Sequence, residues 1–161
     1  MAKRATDDAF EPADQRVVPS RGFDDLTVGE TFHLPSRTMT DALFAAFQMA
    51  SGDNHPIHYD VEYCKRHGHP GLLAHGYQVL IQSCIGAGPF AHEIGDALIG
   101  FLDTSARFLG PVYAGDTLYP RFEITDLKRQ NSTGVVTLRA TIHNQRRERV
   151  MEGEHRYLLR L

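Results

Sequence analysis

The chain is 161 residues long and short of several things, each of which removes a class of function. It has two cysteines, Cys64 and Cys84, which form no CxxC pair and are too few for a disulfide framework. The sequence therefore fits a reducing compartment, and both thiols read as small core residues rather than nucleophiles. No apolar run reaches bilayer-spanning length, and the charged stretch MAKRATDDAFEPADQRVVPSR holds no apolar segment of signal-peptide type. A cytoplasmic location away from membranes is expected. Basic excess is also missing: the formal net charge is -3, so no field gathers nucleic acid or anionic lipid. Neither HExxH nor a Cys/His zinc spacing occurs, and there is no internal repeat or low-complexity tract.

What remains is ordinary globular material, with 42% hydrophobic and 23% charged residues in a length that suits one domain. Residues 1–20 mix charge, Pro and Ala without periodicity and read as an arm, mobile or strapped over the surface. The domain proper is expected over 21–161. Residues 29–39 alternate loosely as a strand with one wet face. Thr40 suits a helix N-cap, and Leu43, Phe44, Phe47 and Ala50 recur at helical intervals until Gly52. A short helix is expected from Val61 to His67, interrupted by Gly68, Pro70 and Gly71.

From His75 to about Ala87 the apolar residues Val79, Leu80, Ile81, Cys84 and Ile85 leave little room for a polar face, which predicts a helix buried nearly all round. Beyond Pro89, segments 97–108, 116–127, 135–144 and 150–159 have strand character. An α+β domain follows, a mainly antiparallel sheet wrapped around one buried helix. Its long strand edges need cover, and a second copy is the simplest cover, so a homodimer or higher assembly is expected.

The segment Ser51-Gly52-Asp53-Asn54-His55-Pro56-Ile57-His58 carries the chemistry. On a continuous helix, residues five apart diverge by about 140°, but Gly52 and Pro56 prevent a continuous helix here. A short stiff turn can then hold Asp53 and His58 around one small volume, as acid/base chemistry needs. Turn formation alone also accounts for Asp and Asn beside Pro and Gly. His55, His58, His67, His69 and His75 crowd one stretch, yet Gly68 and Pro70 make His67-x-His69 a turn rather than a chelating strand, and no metal is expected.

Three blocks in order, FAAFQMASGDNHPIHYDVEYCKRHG at 44–68, LLAHGYQVL at 72–80 and SARFLGPVYAGDTL at 105–118, resemble the MaoC-like dehydratases, also called (R)-specific enoyl-CoA hydratases. The resemblance covers most of 22–161 and implies a single hot-dog domain. It implies reversible addition of water to a short or branched trans-2-enoyl-CoA, with no cofactor beyond the coenzyme A of the substrate. The family's catalytic Asp and His fall on Asp53 and His58, and its oxyanion donor on the backbone N–H of Gly76. One departure stands out: the family's Asn two places after the Asp is His55 here, with Asn54 displaced by one.

His55, His75, Tyr77 and Arg107 are further candidates for substrate contact. Structural readings stand beside two of them, His75 as a hydrogen-bonded core residue and Arg107 as an ion-pair partner, and Tyr77 is read as a bulky ring near the helix start that shortens the acyl pocket. Asp116 reads as a turn residue. Two other activities share the fold: thioester hydrolysis, and acyl-CoA binding without catalysis.

Overall fold

The computed structural model describes residue 9 and residues 11–161. Residues 1–8 and 10 of the expected arm lie outside the described residues. Further on, Arg16 and Ser20 both reach Asp96, and Arg21 pairs with Glu30 at 2.9 Å and Glu93 at 3.0 Å, fastening the chain against the domain.

The expected first strand forms as two short pieces, β1 (Thr31–His33) and β2 (Arg37–Thr38), both paired antiparallel with the same later strand. Pro35 falls between them and cannot donate to a ladder. Helix α1 (Asp41–Ser51) begins where Thr40 Oγ1 accepts the Leu43 N–H. It ends at Gly52, whose left-handed backbone (φ 69°) turns the chain out of the helix axis while its N–H still reaches Gln48 O. Helix α2 (Val61–Arg66) is capped by the Asp60 carboxylate, which accepts from Tyr63 N at 2.9 Å.

The segment expected as one long buried helix is interrupted. It runs as α3 (Gly76–Leu80), a 3-10 turn at Ile81–Ser83, an extended Cys84 (φ -66°, ψ 128°), a second 3-10 turn at Ile85–Ala87 and α4 (Pro89–Glu93). Ser83 donates its hydroxyl to Leu80 O at 2.7 Å, a local bond that competes with helix propagation, and Pro89 has no N–H to continue one. Nor is the segment covered all round. Val79 and Ile85 are buried, but Tyr77, Ile81 and Cys84 are exposed along one side.

Strands β3 (Leu98–Phe108), β4 (Thr117–Arg129), β5 (Thr133–Asn144) and β6 (Arg149–Arg160) lie close to the expected segments. With β1 and β2 they form a six-stranded antiparallel sheet in the order β1-β4-β5-β6-β3, β2 joining beside β4. Its inner face is set by alternation: Leu118, Phe122 and Ile124 of β4 and Val136, Leu138, Ala140 and Ile142 of β5 are buried. Register places Phe122 opposite Ala140 and Ile124 opposite Leu138, and the 3-10 turn at Ile81–Ser83 packs against β4 and β5. No described helix is long and apolar enough to cross a membrane.

Candidate active site

The loop after α1 is wound by its own side chains. Asp53 Oδ1 accepts the His55 N–H at 3.1 Å, and Ser51 Oγ accepts the Asp53 N–H at 3.2 Å. Asn54 ties the loop backward, accepting from Gln48 Nε2 at 2.5 Å and donating to Gly52 O at 3.1 Å. The displaced Asn thus anchors the loop to α1. His55 caps the following 3-10 turn (Pro56–His58), its Nδ1 accepting from Ile57 N at 3.3 Å, so that nitrogen is engaged by the loop itself.

That turn is stitched to the strand-like segment before α3. Leu73 N donates to Ile57 O at 3.1 Å, and His58 Nδ1 lies 2.5 Å from Leu73 O. A carbonyl only accepts, so His58 Nδ1 carries the proton and Nε2 presents its lone pair. Burial pushes His58 below the usual imidazole range; the Leu73 carbonyl and Asp53 oppose the shift and His75 adds to it. His58 is therefore neutral near pH 7, in the form that accepts a proton.

His75 is the N-cap of α3 and only 5% exposed. Its ring stacks on His58 with centroids 3.5 Å apart and planes 20° from parallel. Its Nε2 is 3.5 Å from Asp53 Oδ2 and 3.3 Å from the Tyr59 hydroxyl, and its Nδ1 is 3.5 Å from Gln78 Oε1. Burial and Asp53 raise the Tyr59 phenol, which stays protonated. Polar atoms of Asp53, His58 and His75 all lie within 4.8 Å of one another. Stacked imidazoles hold their in-plane lone pairs in separate planes, so both cannot meet one ion at the roughly 2.0–2.1 Å of a metal–nitrogen bond without turning.

Gly76 opens α3, where the first N–H groups have no intrahelical partner and the helix dipole is positive. A Cβ there would stand 2.8 Å from the Phe108 ring at the end of β3, so any larger residue must displace that ring or the helix start.

The other candidates fall elsewhere. Arg107 alternates with the inward-facing Ala106 and Phe108, so it projects from the outer face of the sheet. It is paired with Glu152 at 3.6 Å, its side chain 79% exposed, and within the chain it does not reach the site. Tyr77 is 76% exposed beside Ile81 and stands outside the apolar cavity described next, so within one chain it shortens nothing. Asp116 is a buried turn anchor, as expected. Tyr59 and Gln78 were not singled out by sequence reasoning; Tyr59 directly follows His58, and Gln78 stands one helical turn after His75, the spacing that puts both on one face.

One turn beyond Gly76 a cavity of about 370 Å³ opens between the helical segment and the sheet, lined mainly by apolar surface from Leu80, Ile81, Ile85, Leu98 and Phe101, with His155 and Tyr157 on its floor. The titratable cluster, the start of α3 and the apolar cavity thus follow one another along the helical segment.

Comparison with known proteins bears on the fold and the family. A curated relative, the uncharacterized protein YdeM of Bacillus subtilis, is 27% identical over 143 residues, covering 85% of this chain and 97% of its own. An Archaeoglobus structure described as a monoamine oxidase regulatory protein superposes with a TM-score of 0.82 at 27% identity, covering 90% of this chain and 97% of that one. The (R)-hydratase of A. caviae involved in PHA biosynthesis superposes with a TM-score of 0.67 at 25% identity, over 84% of this chain and 97% of its own. The architecture is the hot-dog fold. The family model described as the MaoC like domain matches residues 25–145, which include Asp53, His58, His75 and Gly76, and the chain belongs to that family.

Proposed function

We propose that the protein is a hydro-lyase that adds water reversibly to the double bond of a short or branched trans-2-enoyl-CoA. The observation that carries this reading is the gathering of Asp53, His58 and His75 polar atoms within 4.8 Å, next to the α3 start at Gly76. In the hydration direction one water is shared by Asp53 and His58. His58 Nε2 takes a proton as the water oxygen bonds to C3, and a proton passes from the pair to C2, so the net addition is one OH and one H. Negative charge gathers meanwhile on the thioester oxygen, where a hydrogen bond from Gly76 N–H meets it; such a donor contributes about 2.7–4 kcal/mol to transition-state stabilisation. Dehydration runs the same steps backward.

The acyl chain is assigned to the cavity beyond Gly76, whose lining suits hydrocarbon. A second copy is assigned to the free edge of β3, where Ile99, Phe101 and Leu102 are exposed near Tyr77 and Ile81. No cofactor enters these steps.

The test is loss of enoyl-thioester absorbance over straight, methyl-branched and carboxylated trans-2-enoyl-CoA substrates, with wild type beside Asp53→Asn and His58→Ala. Turnover abolished by both substitutions supports hydration. Release of free thiol points to thioester hydrolysis, and binding of CoA esters without turnover points to a non-catalytic subunit.

A further inference from the structure

The cavity beyond Gly76 has apolar walls and a polar floor, and the hydrogens of that floor can be placed one by one. Beneath it, the Ser83 hydroxyl gives its hydrogen to Leu80 O at 2.7 Å, because a carbonyl only accepts. The Ser83 oxygen, 3.3 Å from His155 Nε2, then receives the proton of that nitrogen, and His155 Nδ1 is left to accept from the Tyr157 hydroxyl at 3.4 Å. His155 is 4% exposed, and no carboxylate among the cavity-lining residues is there to hold an imidazolium. Thr104, which lines the cavity from β3, gives its hydrogen to Glu154 O at 3.1 Å.

Both hydroxyl hydrogens at the cavity are therefore spent on the protein itself. What is left for a ligand is the oxygen of Tyr157 and that of Thr104, both acceptors, together with the Cys84 thiol, a weak donor. Among the described residues, no Lys or Arg lines the cavity. A carboxylate brought here would lose its water and meet acceptors, with neither a cation nor a strong donor in exchange. A hydroxyl would lose less, because it brings a hydrogen that those oxygens can accept.

We propose that this cavity selects uncharged acyl chains, admitting those that end in methyl or hydroxyl and rejecting those that end in carboxylate, with Tyr157 as the residue that recognises the hydroxyl. This deepens the hydratase reading and rests on it only for placing the acyl chain in the cavity. Burial, which pushes His155 down to about 4, keeps positive charge off the floor near neutral pH, so no counter-ion forms there.

The experiment is calorimetric binding, near neutral pH, of saturated CoA thioesters, which offer no double bond to hydrate. Three series of increasing chain length, ending in methyl, in a primary hydroxyl and in carboxylate, are compared on wild type and Tyr157→Phe. Affinity in the methyl series should rise about fourfold per methylene while the chain fills the cavity. At those lengths the carboxylate-ended ester should bind at least about a hundredfold more weakly than the hydroxyl-ended one. In Tyr157→Phe the ratio of hydroxyl-ended to methyl-ended affinity should fall by about threefold to tenfold. Loosened packing alone would weaken both ends and leave that ratio where it was.

Equal affinity for carboxylate and hydroxyl ends overturns the proposal, and so does an unchanged ratio in Tyr157→Phe. An affinity that stays flat along the methyl series overturns it too, since the chain then lies elsewhere. Should Tyr157→Phe not fold, the comparison of ends on wild type decides alone. If the esters bind in the expected order and no enoyl-CoA is hydrated, the hydratase reading fails and the selection stands.

Discussion

Phe108 occupies the space that a side chain at position 76 would need: a Cβ on Gly76 would meet the ring Cε2 at 2.8 Å and Cζ at 2.9 Å. The contact joins the end of β3 to the start of α3, so the position of the proposed oxyanion donor is set by a strand distant in sequence. Gly76→Ala is expected to fold, because Phe108 is half exposed and its ring can swing aside. Moving the helix start by a few tenths of an ångström should lower kcat by about tenfold to a hundredfold, since a displaced donor no longer meets the oxygen. The double variant Gly76→Ala/Phe108→Ala should recover part of that loss, measured as a coupling in a double-mutant cycle. Additive losses would show that the steric contact is not the cause.

The turn at Asp116 is a second place where one side chain joins separate segments. Its carboxylate accepts from Tyr113 N at 2.9 Å, Gln145 Nε2 at 2.7 Å and Arg146 Nη1 at 2.9 Å, linking the turn before β4 to the β5–β6 hairpin. Burial alone would raise this carboxyl, but the hydrogen bonds from Tyr113, Gln145 and Arg146 overcome that and hold it below its usual range. Its stabilisation is therefore present above the unfolded-state value of about 3.9 and lost as pH falls through the lower folded value. Asp116→Asn, which turns one acceptor into a donor facing donors, should cost about 1–3 kcal/mol. The expected result is a lower Tm near neutral pH and a smaller difference from wild type in strong acid; equal Tm values at neutral pH would contradict it.

How much of this was legible in sequence depends on how local each determinant is. The limits of α1 were readable because Thr40 and Gly52 act on their own backbone, and the long strands because Val136, Leu138, Ala140 and Ile142 repeat with period two. The interruption at Cys84 was hidden, since an apolar run looks alike whether it continues as one helix or breaks into 3-10 turns under a local Ser83 bond. Sidedness was hidden too: Ile81 is as apolar as Val79, and only the path of the sheet decides which is covered within one chain. Asp53 and His58 could be paired from a short stiff loop. The meeting of His58 with His75 needed the bond between Leu73 and the 3-10 turn, which no spacing announces. For Arg107 both substrate contact and an ion pair were open in sequence; within the chain, strand alternation against Phe108 sends it outward to Glu152.

A buried polar chain under the cavity gives a pH prediction of its own. Ser83 spends its hydroxyl hydrogen on Leu80 O, so its oxygen accepts from His155 Nε2 at 3.3 Å, and His155 Nδ1 accepts from the Tyr157 hydroxyl at 3.4 Å. Every hydrogen is thereby placed with His155 neutral. Burial pushes His155 down to about 4, and burial keeps the Tyr157 phenol protonated. Unfolding releases His155 to an ordinary value near 6.5, so the unfolded chain binds more protons between these limits and stability falls as pH falls through that window. The contribution is on the order of 3 kcal/mol. In urea titrations from pH 7 to pH 4, His155→Gln should show a shallower loss of stability than wild type. A parallel slope would mean that His155 gains its proton without unfolding.

The free edge of β3 predicts the assembly. Its strand pairs with β6 on one side, and Ile99, Phe101 and Leu102 are exposed along it, with Tyr77 and Ile81 of the helical segment exposed nearby. Single apolar residues at a surface need no explanation, but a contiguous group on an unpaired edge is where another chain docks. Phe101 sits at its middle, its ring 4.9 Å from that of Tyr157, half in contact with its own sheet and half open. Phe101→Lys keeps the long aliphatic stem against the sheet while placing a charge in the proposed interface, where desolvating it costs several kcal/mol unless it is paired. Sedimentation should show wild type as a dimer or larger and Phe101→Lys as a folded monomer. The same variant should also be inactive if the second copy walls the acyl cavity, because Phe101 lines it. A Phe101→Lys protein that sediments like wild type would remove β3 as the joining edge, and the exposed face of Tyr77 and Ile81 would need another cover.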